Sequence, residues 1–437
     1  MEDLWEEAVA KMIDKLFKKA MDNSLCNTSY PLNKQSWLDY KCTNRDLFLN
    51  ETDLCFYIHI PFCKNLCSFC EYTRFKKDIE LEKTYIEILE RDITNFIGTH
   101  IISKLYGFDI GGGTPTILDI NNFKKLMEIS KKINILPHIH DYEPSIEATF
   151  NTIDEEKISL IKEAGFTRIS LGIQTINTKI LLDNNRDIVN TNKMINIINL
   201  IKKYDMKVNI DLMYGIPNQK MEDIENSMKI LEKLNPSQVT LYEMRYNMVK
   251  SNLMFSKDEL YNYYKLFYEN LTDLGYNATF GQNTFSKTND LGLSSYLKYR
   301  MIDNVSYKGF GISAQSKSKI GLSYNIGKSG EDFVYCIQKG TFYEDDTYLL
   351  PKDELLAKYI AVCLYYGQFK LSIMESIIAE NPLTKYKSEF DYLLSNDYIL
   401  IVNDIVYLTE LGFKYFGAVG SLFYSNKSKD VVLGDIK

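Results

Sequence analysis

Three cysteines, Cys63, Cys67 and Cys70, stand within eight positions of the stretch "FYIHIPFCKNLCSFCEYTRF", residues 56–75, directly after a short apolar run. Thiolates are soft ligands suited to zinc, copper(I) or iron–sulfur clusters. A structural zinc site needs a fourth ligand, and the nearest upstream candidate, His59, lies inside the apolar run itself. Three thiolates leave a tetrahedral metal with an open position. On a [4Fe–4S] cluster, where four cysteines are usual, they leave one iron free to bind something else. Three unrelated buried cysteines would not explain a spacing of four and then three residues between Pro61 and the aromatic Phe69 side chain. The other five, Cys26, Cys42, Cys55, Cys336 and Cys363, are isolated and read as small apolar residues.

Such a loop needs elements to hold it. Between residues 54 and 245, short β-branched runs alternate with longer stretches of helical periodicity. The strand candidates are Cys55–Ile60, Leu105–Ile110, Ser145–Phe150, Arg168–Gly172, Lys207–Met213 and Ser237–Tyr242. Between them lie "LEKTYIEILERDITNFI", "NNFKKLMEISKKI", "DEEKISLIKEAG", "NTNKMINIINLIKKY" and "MEDIENSMKILEKL". This alternation implies an α/β fold with a parallel sheet, and six units imply a partial (β/α)6 barrel. The three thiols then sit at the carboxyl end of the first strand, where parallel barrels gather their ligands.

The motif C-x-x-x-C-x-x-C after the first strand, followed by "GGGTPT" after the second, resembles the radical S-adenosylmethionine (SAM) superfamily. Within it, "YIHIPFC", "GGGTPT", "SIEA", "RISLGIQ", "DLMYGIP" and "YKGFGISA", in that order, resemble the oxygen-independent coproporphyrinogen III oxidase-like family. That family includes the oxidase, haem-chaperone relatives and class C methyltransferases, and the likeness runs over roughly residues 54 to 330.

The resemblance implies that Cys63, Cys67 and Cys70 hold a [4Fe–4S] cluster whose open iron takes the amino and carboxylate groups of SAM. An electron from the cluster would then release a 5′-deoxyadenosyl radical. It implies SAM contacts for Gly112, Gly113 and Thr114, for Phe69 near the adenine, and for Glu147, an acid in an otherwise apolar run. Gln174, Arg186 and Asp211, at the ends of later βα units, match further polar SAM contacts, and Tyr57 matches a tyrosine near the site. Gln315 matches a contact to a second SAM, so one or two molecules are expected.

Two departures bear on the branch. The oxidase carries another cysteine two places beyond its last ligand, where this chain has Tyr72. The haem chaperones carry an H-N-x-x-Y-W stretch where this chain reads "SSYLKYR", without the histidine or tryptophan. The expected function is therefore reductive cleavage of SAM to modify an aromatic, heterocyclic or tetrapyrrole substrate, with C-methylation by a second SAM among its outcomes. Coproporphyrinogen oxidation and haem carriage are the alternatives. An external electron donor such as flavodoxin or ferredoxin is implied.

Composition sets the frame. The 437 residues suffice for a large catalytic domain and an appendage. A formal net charge of −7 with interspersed signs lacks the footprint of a nucleic-acid binder. No apolar run is long enough to span a bilayer, and the acidic start does not resemble a signal peptide, so a cytoplasmic protein away from membranes is expected. His138 and His140 read as solvent-exposed. The expected organisation is an N-terminal helical segment (1–50), a barrel core (51–245), a barrel extension completing the SAM site (246–340) and a small helical, winged-helix-like domain (341–437). The first helix places Leu4, Trp5, Val9, Met12, Ile13, Leu16 and Phe17 on one stripe, expected to pack against the main domain.

Overall fold

The computed structural model describes residues 2–434 except 22, 24, 25, 27–29, 33, 44, 245–254, 289, 328 and 343–345; the side chains of residues 2–6, 34 and 35 also lie outside it. The side chains of Leu4 and Trp5 and the expected boundary at 245 and 246 therefore fall outside the described residues.

The predicted alternation forms a parallel sheet. Strands β1 (Asp53–Ile60), β2 (Lys104–Gly112), β3 (Ser145–Ala148), β4 (Arg168–Gln174), β5 (Lys207–Tyr214) and β6 (Gln238–Glu243) pair in chain order. The intervening helices Ile79–Thr99, Ile120–Asn134, Glu155–Glu163, Thr191–Lys203 and Met221–Leu234 cover the sheet. Four of them start on side-chain caps, Asp78, Asp119, Asp154 and Asn190, each accepting from a backbone N–H of the first turn. Strands buried on both faces explain their nearly continuous apolar runs.

A seventh parallel strand, β7 (Tyr307–Phe310), lies along the free edge of β1. The sequence reading did not anticipate it, because "YKGF" is short and carries Lys308, a residue expected at the surface. In the fold Lys308 is buried, with its ammonium 5.6 Å from the Phe96 ring centre. Beyond β7 the sheet turns antiparallel through β8 (Gln315–Lys317), β9 (Gly321–Tyr324) and β10 (Thr347–Leu349). At its other edge, Thr284–Ser286 runs antiparallel to β6. The strand order does not close on itself, so the barrel is open.

The C-terminal part has its own three-stranded antiparallel sheet, Gln368–Lys370, Ile405–Leu408 and Ile399–Val402. Helices Lys352–Cys363, Leu371–Ile378 and Lys387–Ser395 complete a winged-helix-like order, with Ile399–Val402 and Ile405–Leu408 forming its hairpin. Two expectations need correction. Residues Thr347–Leu349 are not helical but extend the large sheet. The first helix, Glu2–Met21, packs against the C-terminal helices rather than the barrel: Phe17 lies 4.4 Å from Tyr398 between ring centres, while Met12 is 54% exposed and leaves the buried stripe.

A fully buried acid ties this arrangement together. Glu354 accepts from Tyr30 Oη (2.6 Å), Trp37 Nε1 (2.9 Å) and Ser425 Oγ (2.8 Å), drawing chain from both ends onto one helix. Removing the carboxylate leaves three buried donors without their acceptor. E354A is expected to lose about 3 kcal/mol of stability, seen as a lowered denaturation midpoint and faster proteolysis before residue 50; an unchanged midpoint would refute this role.

Candidate functional site

The site is built at the carboxyl ends of the barrel strands. After β1, Pro61 ends the pairing, and the loop is pinned at both sides. Phe75 N donates to Pro61 O (2.7 Å), Lys77 N to Cys63 O (2.9 Å) and Thr114 N to Phe62 O (2.8 Å). Between these points lie the three thiols. Arg74 holds the loop from inside: Nη1 donates to the carbonyls of Cys70 (2.9 Å) and Tyr72 (3.1 Å), and Nη2 to that of Cys67. Sequence reasoning passed over Arg74, although a cation four residues beyond the last thiol was a usable signal.

Cys63 and Cys67 are buried, Cys70 is half-buried, and all eight cysteines are free thiols. Cys63 Sγ lies 3.7 Å from Thr114 Oγ1, and Arg186 Nη1 lies 3.8 Å from Cys67 Sγ. Burial pushes the Cys63 thiol up to about 11 and raises that of Cys70. Thiols this buried become thiolates when a bound metal supplies positive charge. Among the described residues, no three His, Cys, Asp or Glu groups converge closely enough to hold a single ion. Three thiols in one buried loop are a donor set that suits a four-iron cluster.

The thiols open onto a cavity of about 970 Å³, within the range of ligand and cofactor sites. Phe69, Gly112, Gly113, Thr114 and Glu147 line it, as do Gln174, Arg186, Asp211 and Gln315. The fold thus brings every predicted site residue to one chamber except Tyr57. The Tyr57 ring instead stacks on Tyr296 (5.6 Å between centres), with its hydroxyl 3.5 Å from His59 Nδ1.

The glycines have a more immediate reason than ligand approach. A Cβ at Gly111 would fall 2.6 Å from Glu147 Cδ, one at Gly112 2.5 Å from the His59 ring, and one at Gly113 2.7 Å from Phe62 O. The run lets the ends of β1, β2 and β3 converge, with Gly112 also at φ +113°. His59 is a satisfied core residue: it is buried, Nε2 donates to Thr73 O (2.8 Å), and burial pushes it down to about 4. His138 and His140 are exposed, as expected.

Glu147 is not buried in the core as the sequence suggested; its side chain is open to the cavity and accepts from Gly112 N (3.2 Å). Enclosure by the cavity walls, and then the charge of Asp211, push its carboxyl up to about 8. Asp211 is also raised, chiefly by burial, although Ser170 Oγ (3.0 Å) and Asn209 Nδ2 (2.8 Å) donate to it. Gln174 takes a left-handed conformation (φ 68°) at a bulge between β4 and β5. Backbone strain of that kind collects at functional sites. Arg186 Nη2 donates to Gly172 O beside it. Phe69 packs with Met213 and Met244 behind the cysteine loop.

The chain's relatives agree with this geometry. Residues 57–231 match the model of the radical SAM superfamily. In sequence the chain is similar to the coproporphyrinogen oxidase-like radical SAM family. It is 34% identical to the heme chaperone HemW of Buchnera aphidicola (Schizaphis graminum strain) over 43% of this chain and 50% of that protein. It is 30% identical to the oxygen-independent coproporphyrinogen III oxidase of Escherichia coli over 44% of this chain and 42% of the oxidase. The chain spans about half the length of the first curated relatives it matches. The solved structure of the E. coli coproporphyrinogen III oxidase HemN shares the fold, with a TM-score of 0.71 at 20% identity over 86% of this chain and 91% of that one. Likeness to the superfamily implies a [4Fe–4S] cluster and SAM, which the buried three-thiol loop and the acids beside it fit.

If the loop holds the cluster, the C63A/C67A/C70A variant, reconstituted anaerobically, retains no stoichiometric iron or sulfide while the parent retains about four of each. Equal contents in both would refute the ligand assignment.

Proposed function

We propose that this protein reductively cleaves SAM at a [4Fe–4S] cluster held by Cys63, Cys67 and Cys70, in order to modify an aromatic, heterocyclic or tetrapyrrole substrate. The observation that carries the reading is one chamber joining the three thiols, a mutually repelling acid pair and a tyrosine-rich wall. The reduced cluster supplies the electron that breaks the sulfonium bond of SAM. The rest falls to the chain. Burial resists the ionisation of both Glu147 and Asp211, and the charge of Asp211 adds to that of Glu147, so the pair favours a cationic ligand, and SAM carries both an ammonium and a sulfonium. Arg186, beside Cys67, suits the carboxylate of SAM, and Phe69 suits its adenine. Arg74 fixes the loop carbonyls so that the thiols keep their spacing.

The wall formed by Tyr72, Tyr242, Tyr365 and Tyr366 leaves flat apolar surface for a conjugated substrate. Gln315 lines the same chamber, which supports a second SAM and C-methylation as one outcome. Carriage of haem, suggested by the likeness to HemW, is disfavoured by the absence of a histidine ligand: all four histidines are described, and none lines the cavity. Coproporphyrinogen oxidation is disfavoured by Tyr72, which stands at the cavity where the oxidase carries its extra cysteine. A small acidic flavodoxin or ferredoxin in the cytoplasm is the proposed reductant. Among the described residues, no helix is long and apolar enough to cross a membrane.

Anaerobic incubation with dithionite, SAM and candidate substrates, read by mass spectrometry, tests the proposal. The expected result is 5′-deoxyadenosine, with S-adenosylhomocysteine in addition where methyl transfer occurs, and no protoporphyrinogen from coproporphyrinogen III. Stoichiometric haem retention without SAM cleavage would overturn it.

A further inference from the structure

One part of the cavity is cationic, and nothing in the cluster or acid pair accounts for it. Residues Lys298–Ile302 form a π-helical turn, an uncommon conformation often found at functional positions. The turn carries Arg300 into the cavity wall, where its guanidinium lies 4.8 Å from the Tyr296 ring centre and 5.1 Å from that of Tyr307. Its Nε is buried and, among the described residues, has no hydrogen-bond partner.

A second cation stands beside it on the β8 strand. Lys317 lines the cavity, is 6% exposed, and its ammonium donates, among the described residues, to the neutral amide of Asn304 alone. In the antiparallel ladder Lys317 is the register partner of Tyr307, and Gln315 that of Tyr324. Because residues 315 and 317 share a face, these four side chains form one platform against which Arg300 packs. The nearby acids make their bonds to other groups: Asp303 with Lys370 (2.5 Å), Glu51 with Lys319 (3.9 Å), and Asp109, whose charge reaches Arg300, with Ser294 Oγ (2.6 Å). Burial of two like charges with no carboxylate paired directly to either, among the described residues, is unfavourable, and Lys317 is pushed down to about 8 by burial, with Arg300 adding to it. An anion entering between them would relieve both, and the planar fork of arginine suits a carboxylate.

We propose that Arg300 and Lys317 form a carboxylate-binding pole within the cavity, taking a carboxylate of the substrate or of a second SAM molecule. This rests on the SAM-cleaving reading above, and it gives that reading a polarity: the acid pair holds the cationic part of SAM, and the basic platform holds an acid group.

The test is equilibrium binding to the reconstituted full-length protein, which is independent of SAM cleavage. The probes are coproporphyrin III, its tetramethyl ester, and SAM. If the carboxylate belongs to the substrate, the parent binds the tetra-acid at least about tenfold more tightly than the ester. R300Q and K317Q then lose that preference, while R300K keeps much of it. If the carboxylate belongs to a second SAM, the parent binds two equivalents of SAM and R300Q binds one, with porphyrin affinities unchanged. Iron content and thermal midpoint show that each variant is folded. A parent that binds acid and ester equally and takes up only one SAM overturns the proposal without recourse to any variant. So does an R300Q protein with unaltered porphyrin preference and SAM stoichiometry. Failure of SAM cleavage with this binding pattern intact would instead fault the catalytic reading alone.

Discussion

The close approach of β1 and β2 at their carboxyl ends is the constraint on which the site depends. Their parallel register runs to the last pairs, His59 with Gly111 and Ile60 with Gly112. The His59 ring occupies the space where a side chain on Gly112 would project. Larger residues there would push β1 away, and with it the Pro61–Cys63 segment that begins the cysteine loop. The same contact holds the imidazole neutral and directs its Nε2–H to Thr73, so the far side of the loop is fastened by the strand that launches it. A backbone packing requirement thus sets where three thiols can stand.

Around that scaffold, charge is distributed by region rather than by pairs. Glu147 and Asp211 face the cavity near the thiols with, among the described residues, no cation in an ion pair with either, and the charge of Asp211 raises the cost of ionising Glu147. Arg74 and Arg186 turn toward loop carbonyls and a cysteine sulfur. The β7–β9 side presents cations on a tyrosine platform. An interior with separated unsatisfied charges is costly to an empty protein and favours a ligand of matching polarity. SAM, a zwitterion with an added sulfonium, is such a ligand.

Much of this was legible from residue order, and the limits have physical causes. The cysteine spacing and the βα alternation are local patterns, and the six strands and five helices stand where periodicity put them. β7 was not legible, because four residues with a buried lysine carry no period and acquire their place only by pairing with a distant strand. The exposure of Glu147 was misjudged for a related reason: alternation says which face a residue takes, not whether that face meets a core or a cavity. Tyr57 lies on the predicted strand yet turns into a stack with Tyr296, 239 positions away. Arg300 and Lys317 reach the same cavity through a π-helical turn and a hairpin that no local pattern announces.

The central claim is that three protein thiols leave one iron of a cluster open to SAM. Electron paramagnetic resonance of the anaerobically reconstituted, dithionite-reduced protein, recorded with and without SAM, tests it most directly. A cluster with an open iron gives a paramagnetic signal whose g values shift when SAM is added and return when SAM is removed. A signal unchanged by saturating SAM would mean that the fourth iron is already ligated or that SAM does not reach it, and would contradict the account.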